Sequence, residues 1–279
     1  MTTMNYTRFW KIALSAFLLI GLTTACEDDG EETTPEEEVN TQILLDDYEA
    51  NKLMSSMADM GTYYVGAALT ADGGGRLEEE CPEVTHQVAR TRVLIDFGTE
   101  CQDNYGNTHS GLWIVDYTLA GGELRAYTVT TESYTFNDMS VVATLNYSDI
   151  TIGNGTLSIT SNGNIALSFG DGSTFSRSGS YTLLWETGFR DGDPGNDLVT
   201  TTGSGQGTNR NGGSFTYTIE EPLVRNTSCA GDLKLVTVSG RKRVVPARSG
   251  SYSVDFGDGA CDRSVTIITD SRTFNIDLP

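Results

Sequence analysis

Histidine, serine and cysteine side chains are the usual sources of nucleophilic catalysis, and this chain has only two histidines, His86 and His109. A serine or thiol nucleophile normally needs a histidine base within hydrogen-bond reach. His109 precedes Ser110, but the same Ser-Gly pair also follows Arg177 and Arg248, so we expect a turn at this position. His86 lies in a polar stretch before a predicted strand. The sequence therefore does not favour a histidine-dependent hydrolase.

Carboxylates offer two other kinds of chemistry, glycoside hydrolysis and cation binding. Glycosidases use two facing carboxylic acids, and 38 acidic residues give too many pairs to choose from; Glu186, beside Trp185, is the first candidate. Asp191, Asp193 and Asp197 alternate with glycine, proline and asparagine, and oxygen ligands at such spacing are typical of calcium loops. The same residue types also form ordinary exposed turns. Calcium is the one cofactor that the sequence suggests.

Aromatic side chains on strands can stack on sugar rings. Trp113, Trp185 and Tyr181 all lie within predicted strands. Most strand aromatics belong to the core, so these three residues do not by themselves predict a glycan site.

The first 25 residues have the parts of an export signal. Arg8 and Lys11 flank the start of an apolar run over residues 12–22, which is too short for a membrane-spanning helix of about 20 residues. Three small residues then lead directly to Cys26, as lipid transfer to a thiol requires. We therefore expect a lipoprotein signal peptide over 1–25, with Cys26 as the lipidated first residue of the mature chain. An ordinary signal peptide cleaved elsewhere is the alternative.

This segment resembles the lipobox of bacterial lipoproteins, with Leu22 one position further from the cysteine than in the commonest pattern. Eight of the twelve residues at 27–38 are acidic and none is basic, so we expect a solvated acidic tether over 26–40. Acidic residues directly after the lipidated cysteine resemble the surface-export signal of Bacteroidetes lipoproteins. The resemblance implies a lipid-anchored protein of the outer membrane displayed on the cell surface; the periplasmic face is the alternative.

The charge balance limits the partners of the mature chain. Without Arg8 and Lys11 the 18 basic residues fall to 16, against 38 acidic ones, which gives a formal net charge of −22. A field of this sign repels nucleic acid and anionic lipid headgroups. We therefore expect no nucleic-acid partner.

Residues 41–75 differ in pattern from the rest of the mature chain. Apolar residues recur at helical spacing from Ile43 to Met60, which predicts one short helix over about 43–60, ended by Gly61. The glycine-rich segment 72–75 then predicts a flexible linker.

From about residue 84 onward the period of the pattern changes to two. Threonine alternates with apolar and aromatic residues, which predicts strands with one buried face at 112–118, 126–130, 141–147, 155–160, 181–185, 214–219, 251–256 and 265–269. Glycine- and asparagine-rich turns between them predict antiparallel hairpins, with turns at 120–122, 161–164, 209–213 and 269–272. The predicted class is all-β: a twisted antiparallel sheet or β-sandwich of repeated hairpins over 76–279, preceded by one short N-terminal helix.

Short motifs recur within this β region. Phe97-Gly98 is followed by Cys101, and Phe256-Gly257 by Cys261; we expect each Phe-Gly pair to close a strand and each Ser-Gly pair to precede one. The copies indicate a repeated hairpin unit and leave open whether the body has two similar halves.

Without Cys26, four cysteines remain, which allow three connectivities in an oxidising compartment. The repeated motif favours the disulfides Cys81–Cys101 and Cys229–Cys261.

Taken together, the acidic stretch, the short helix, the paired Phe-Gly…Cys motifs and the segment 207–212 make the chain resemble uncharacterised surface lipoproteins of the Bacteroidetes. The resemblance implies a location and no activity. We expect a lipid-anchored, non-catalytic β module of the cell envelope that contacts the membrane through its lipid and either binds a glycan or protein or has a structural role. A carbohydrate-active hydrolase using paired carboxylates is the alternative, so enzymatic activity stays an open question.

Overall fold

One long helix, α1 (Thr41–Thr70), begins the part of the chain that our computed structural model describes, which comprises residues 39–70, 75–77, 81–103, 106–189 and 195–279. The predicted helix of 43–60 is too short, because Gly61 does not end it. A Cβ atom at Gly61 would lie 2.9 Å from Cε2 of Tyr127, so glycine here lets the helix approach the sheet closely. In the described residues no helix is both long and apolar enough to cross a membrane.

The strands follow the helix in chain order. They are β1 (Gly75–Leu77), β2 (Glu83–Gln87), β3 (Arg92–Asp96), β4 (Cys101–Gln102), β5 (Thr108–Ala120), β6 (Glu123–Phe136), β7 (Met139–Ile152), β8 (Leu157–Ser168), β9 (Thr174–Thr187), β10 (Leu198–Thr208), β11 (Ser214–Asn226), β12 (Thr237–Pro246), β13 (Tyr252–Asp258), β14 (Ser264–Ile268) and β15 (Thr273–Asp277). Short 3-10 helices lie at Val88–Arg90 and Gly231–Leu235. Gly75, which the sequence placed in the linker, begins β1.

The strands form one continuous antiparallel sheet in which each strand pairs with the next along the chain. Only β4 leaves this order, since it pairs with β5 beside β3. The prediction of an all-β antiparallel body with one N-terminal helix is confirmed, and of its two forms the structure has the single sheet.

The sheet curls around α1. Tyr127 in β6 donates a hydrogen bond to the carbonyl of Ala58 at 3.2 Å, and Arg225 in β11 contacts the next residue, Asp59, at 2.8 Å. In a flat sheet β6 and β11 would lie about 24 Å apart at the usual strand spacing, whereas a helix with its side chains is about 10–12 Å wide. The inner face of the sheet therefore surrounds this part of the helix, and the core lies between them.

The predicted turns at 120–122, 209–213 and 269–272 connect strands as expected, but the turn at 161–164 is wrong. These residues continue β8, where Gly163 pairs with Leu145 on one side and Gly179 on the other. A Cβ at Gly163 would lie 2.9 Å from the Cα of Leu145. Glycine here permits close strand packing and does not reverse the chain.

The repeated motifs have mixed outcomes. Phe97-Gly98 directly follows β3, and Phe256-Gly257 lies at the end of β13, as predicted. The Ser-Gly pair does not precede β5, because Gly111 lies inside that strand at a register shift with φ +83°. Gly179 likewise lies inside β9. Only the pair before β13 fits the prediction.

The four cysteines of the β body lie in the two pairs that the repeat favours. The Cα atoms are 5.8 Å apart in Cys81–Cys101 and 5.5 Å apart in Cys229–Cys261, within the range of a disulfide. The first pair joins the segment before β2 to β4, and the second joins the segment after β11 to the loop after β13.

Candidate functional site

Three carboxylates of α1 meet cations from the sheet. Asp59 accepts two hydrogen bonds from the guanidinium of Arg225 at 2.8 Å. Asp46 accepts hydrogen bonds from Arg210, in the turn between β10 and β11, at 2.5–3.0 Å. Paired contacts of this kind fix both position and orientation. They hold the helix against the curved sheet at two points along its length.

The third carboxylate, Asp47, is buried and faces two cations. Nη1 of Arg177 donates to Asp47 at 2.7 Å and to the side-chain oxygen of Asn51 at 2.7 Å. Nη2 of Arg177 donates to the hydroxyl of Tyr181 at 2.5 Å. The ammonium of Lys242 contacts the second oxygen of Asp47. Asp47, Arg177 and Lys242 are each at most 5% exposed.

Strand alternation explains why these groups meet. Arg177 and Tyr181 are four residues apart on β9 and therefore share its inner face, and Lys242 lies on the inner face of β12 between buried valines. Tyr217 on β11 lies between them, with its ring centroid 4.9 Å from the guanidinium carbon of Arg177 and 5.7 Å from Nζ of Lys242. Such distances favour cation–π attraction.

Burial and charge act against each other in this cluster. Burial alone would raise the pKa of Asp47, but the adjacent Arg177 and Lys242 outweigh it and hold that pKa below its ordinary value. Burial, assisted by the charge of Arg177, lowers the pKa of Lys242 in spite of the opposing pull of Asp47. Burial also raises the pKa of Tyr217 far enough to keep its hydroxyl protonated across the physiological range.

A row of glycines on the inner face leaves room beside this cluster. Gly163, Gly179 and Gly205 pair with one another across β8, β9 and β10. A Cβ at Gly179 would lie 2.5 Å from the hydroxyl oxygen of Tyr181, and one at Gly205 would overlap the hydroxyl of Tyr217. The two rings therefore lie over backbone where larger residues would hold side chains.

A cavity of about 70 Å³ lies between α1 and this part of the sheet. Its walls include three cations, Arg177, Arg225 and Lys242, together with the hydroxyls of Tyr147 and Ser161. No carboxylate of the described chain is among its lining residues. The Nε–H of Arg177 has no hydrogen-bond partner within the same part of the chain. The cavity is thus a cation-rich, donor-rich space.

Both histidines are in the interior of strands. His109 lies in β5, fully buried, so the predicted turn at this position is wrong because Gly111 forms a bulge there. Nδ1 of His109 hydrogen bonds with the hydroxyl of Tyr134 at 2.7 Å, and Nε2 contacts Asp103 at 3.1 Å. The neighbouring Ser110 hydroxyl instead bonds with Thr135 at 2.6 Å.

His86 lies within β2 and not before a strand, and its Nε2 hydrogen bonds with the buried hydroxyl of Tyr117 at 2.7 Å. Both rings thus have structural tyrosine partners. Neither forms the nucleophile–base pair that a histidine-dependent hydrolase needs.

Of the aromatic and acidic candidates in the described residues, Tyr181 lines the cavity and Trp113, Trp185 and Glu186 do not. Trp113 and Trp185 are at most 4% exposed, so neither offers a face to a sugar, and Tyr181 is also buried. Glu186 is exposed and contacts the hydroxyl of Thr200 on the neighbouring strand β10.

The calcium prediction is left open. Asp191 and Asp193 lie outside the described residues, as does Cys26. Asp197 precedes β10, and its backbone N–H donates to the hydroxyl of Thr227 at 2.8 Å. No group of three metal-ligating side chains occurs in the part of the chain that the structure describes.

Comparison with known proteins gives no relative on which to base a function. The chain matches no protein family, no curated protein and no solved structure at a significant level. The chemistry of the cavity between α1 and the sheet is therefore the main evidence for function.

Proposed function

We propose that this chain is a lipid-anchored, non-catalytic binding module of the cell envelope, displayed at the outer-membrane surface, with its ligand in the cavity between α1 and the sheet. The lipid anchor is supported by the apolar run and by the small residues before Cys26. The surface location is supported by the acidic residues after Cys26. The cation-rich wall of the cavity carries the binding role.

The composition of that wall favours binding over glycoside hydrolysis. A glycosidase needs two carboxyl groups about 5–9.5 Å apart, facing the scissile bond. The described residues place no carboxylate on the cavity wall, and the nearby Asp47 has one oxygen on Arg177 and the other on Lys242. A carboxylate held ionised in this way is a poor general acid.

The volume of the cavity limits the ligand to a small molecule or to the end of a larger one. A space of about 70 Å³ has room for about five water molecules. One sugar terminus or one peptide side chain is thus the largest part of a glycan or protein that this cavity could hold.

The anchor is tested by metabolic labelling of cells with a palmitate analogue. We expect label on the wild-type protein and none on the Cys26→Ser variant, with the chain still exported. Equal labelling of both proteins would contradict the lipid anchor.

Protease treatment of intact cells tests surface display. We expect digestion of the β body, and complete protection would place it on the periplasmic face.

The binding role is tested with a panel of small neutral and charged compounds, observed by ligand NMR on the full-length protein. We expect at least one class of compound to bind and its members to compete for one site. A panel without any binder would contradict the role.

The hydrolase alternative is tested separately by incubation with envelope polysaccharides and detection of reducing ends. Release that is lost in the Glu186→Gln variant would favour the enzyme.

A further inference from the structure

The charges around the cavity do not balance. Asp59 neutralises Arg225, with both carboxylate oxygens 2.8 Å from its guanidinium. Asp47 is then the one carboxylate in contact with two buried cations, Arg177 and Lys242, within the described chain. One positive charge is left over beside the cavity. An unbalanced buried charge is costly unless a counter-charge approaches it or the group loses its proton.

The wall of the cavity also includes a residue with an unpartnered donor. The side chain of Arg177 is 5% exposed and lines the cavity, but only its two terminal nitrogens have partners; Nε has none among the described residues. A buried guanidinium N–H without an acceptor is a strong local preference for a negatively charged oxygen. Tyr147 and Ser161, which are also buried, line the same wall.

Solvent reaches part of the cavity wall. Met54 and Ser55 on α1 and Thr201 and Thr237 on the strands are half-buried. A small solute can therefore enter between the helix and the sheet.

We infer that the ligand of this cavity is a small anion, a carboxylate or a tetrahedral oxyanion, whose negative charge offsets the excess cation of the Asp47–Arg177–Lys242 cluster. This inference rests on the proposed binding role and gives its chemistry. The anion binds between the helix and the sheet, so it contributes to the contact that holds them together.

The test uses the full-length protein, in chloride buffer of constant ionic strength, with acetate, phosphate and sulfate as probes. Acetamide is the matched neutral control, because it has the shape of acetate without the charge. We expect a saturable rise in melting temperature and calorimetric binding with acetate or with a tetrahedral anion, at least tenfold tighter than with acetamide. The stronger probe decides between the carboxylate and the oxyanion.

Two adjacent residues of β12 provide the variant and its control. Lys242→Met removes the excess charge at the cavity, and we expect it to weaken anion binding at least tenfold. Arg243→Met makes the same change of charge on the exposed outer face, where Arg243 contacts Ser251, and we expect wild-type binding.

The outcomes separate the inference from the binding role. If acetate and acetamide bind with equal affinity, or if Lys242→Met and Arg243→Met lose the same affinity, the ligand is not selected for negative charge. Either result would overturn the anion inference and leave the cavity as a binding site. Binding of only neutral compounds in the NMR panel would have the same meaning. If no compound binds in the anion titration and none binds in the NMR panel, both the anion inference and the binding role are overturned.

Discussion

Replacing Asp47 with asparagine removes the one carboxylate that contacts both Arg177 and Lys242, while the size of the side chain hardly changes. Both cations are buried, and Nη1 of Arg177 lies 2.7 Å from Asp47. Removing one partner of a buried ion pair costs about 3–5 kcal/mol, because the remaining charge is left without compensation. Lys242 can limit the loss by releasing its proton, which keeps the effect within this range.

Lys242→Met is the informative partner of this variant. It removes the cation that exceeds the charge of Asp47 and leaves the Arg177–Asp47 pair intact. The rings of Tyr217 and Phe256, centred 5.7 Å and 5.8 Å from Nζ of Lys242, give a methionine apolar neighbours. We expect the free energy of unfolding to stay constant or to rise by about 1–2 kcal/mol, as when a buried charge is replaced by a well-packed apolar group.

The assay is thermal unfolding of the two single variants and the double variant in buffer without added anions. At about 2–4 °C per kcal/mol for a domain of this size, we expect Asp47→Asn to lower the melting temperature by about 10 °C and Lys242→Met to keep or raise it. The double variant should recover part of the loss, since the two sites are coupled. If Asp47→Asn and Lys242→Met lower the melting temperature equally, the buried cluster has no excess positive charge and the reasoning is refuted.

Three further predictions concern pH, packing and calcium. The folded-state pKa of Lys242 lies below its usual 10.5, so the unfolded chain binds more protons than the folded chain between the two pKa values. Stability should therefore rise as the pH approaches 10.5 in the wild type, and less in Lys242→Met; parallel profiles would contradict this. Gly61→Ala should lower stability by about 1–3 kcal/mol in chemical denaturation, because its Cβ would lie 2.9 Å from Tyr127; a stabilised variant would show that helix propensity dominates. If the segment 191–197 binds calcium, a calcium concentration of a hundred times Kd should raise the free energy of unfolding by about 2.7 kcal/mol. Asp193→Asn should abolish this stabilisation. A wild-type melting temperature that does not change with calcium would exclude the site.

Alternation along the chain predicts eight of the fifteen strands, since a half-buried strand carries its signal in its own residues. β10 (Leu198–Thr208) lacks that signal, because its inner positions include Gly205 and Gly207. A Cβ at either glycine would overlap an aromatic ring of β11, that of Tyr217 or of Phe215. Aromatic side chains of the neighbouring strand β11 thus pack over the glycines of β10. The residues of β10 alone therefore show no alternation of apolar and polar side chains.

Sequence patterns do not predict the cavity, for a related reason. Asp47 meets Arg177 and Lys242 across 130 and 195 residues of chain, and no local spacing reports such contacts. One signal was present: Lys242 takes the inward position between Val238 and Val244 on β12. A charge at a core position predicts a buried partner, and a carboxylate on the predicted helix is one candidate.

The most direct test of the anion site is diffraction from crystals of the full-length protein soaked in selenate, whose selenium gives an anomalous signal. We predict an anomalous peak in the cavity between α1 and the sheet, in contact with Arg177 or Lys242, and loss of that peak in Lys242→Met. Selenate bound only at other surfaces at saturating concentration, together with no acetate in the cavity after a parallel soak, would contradict the anion site.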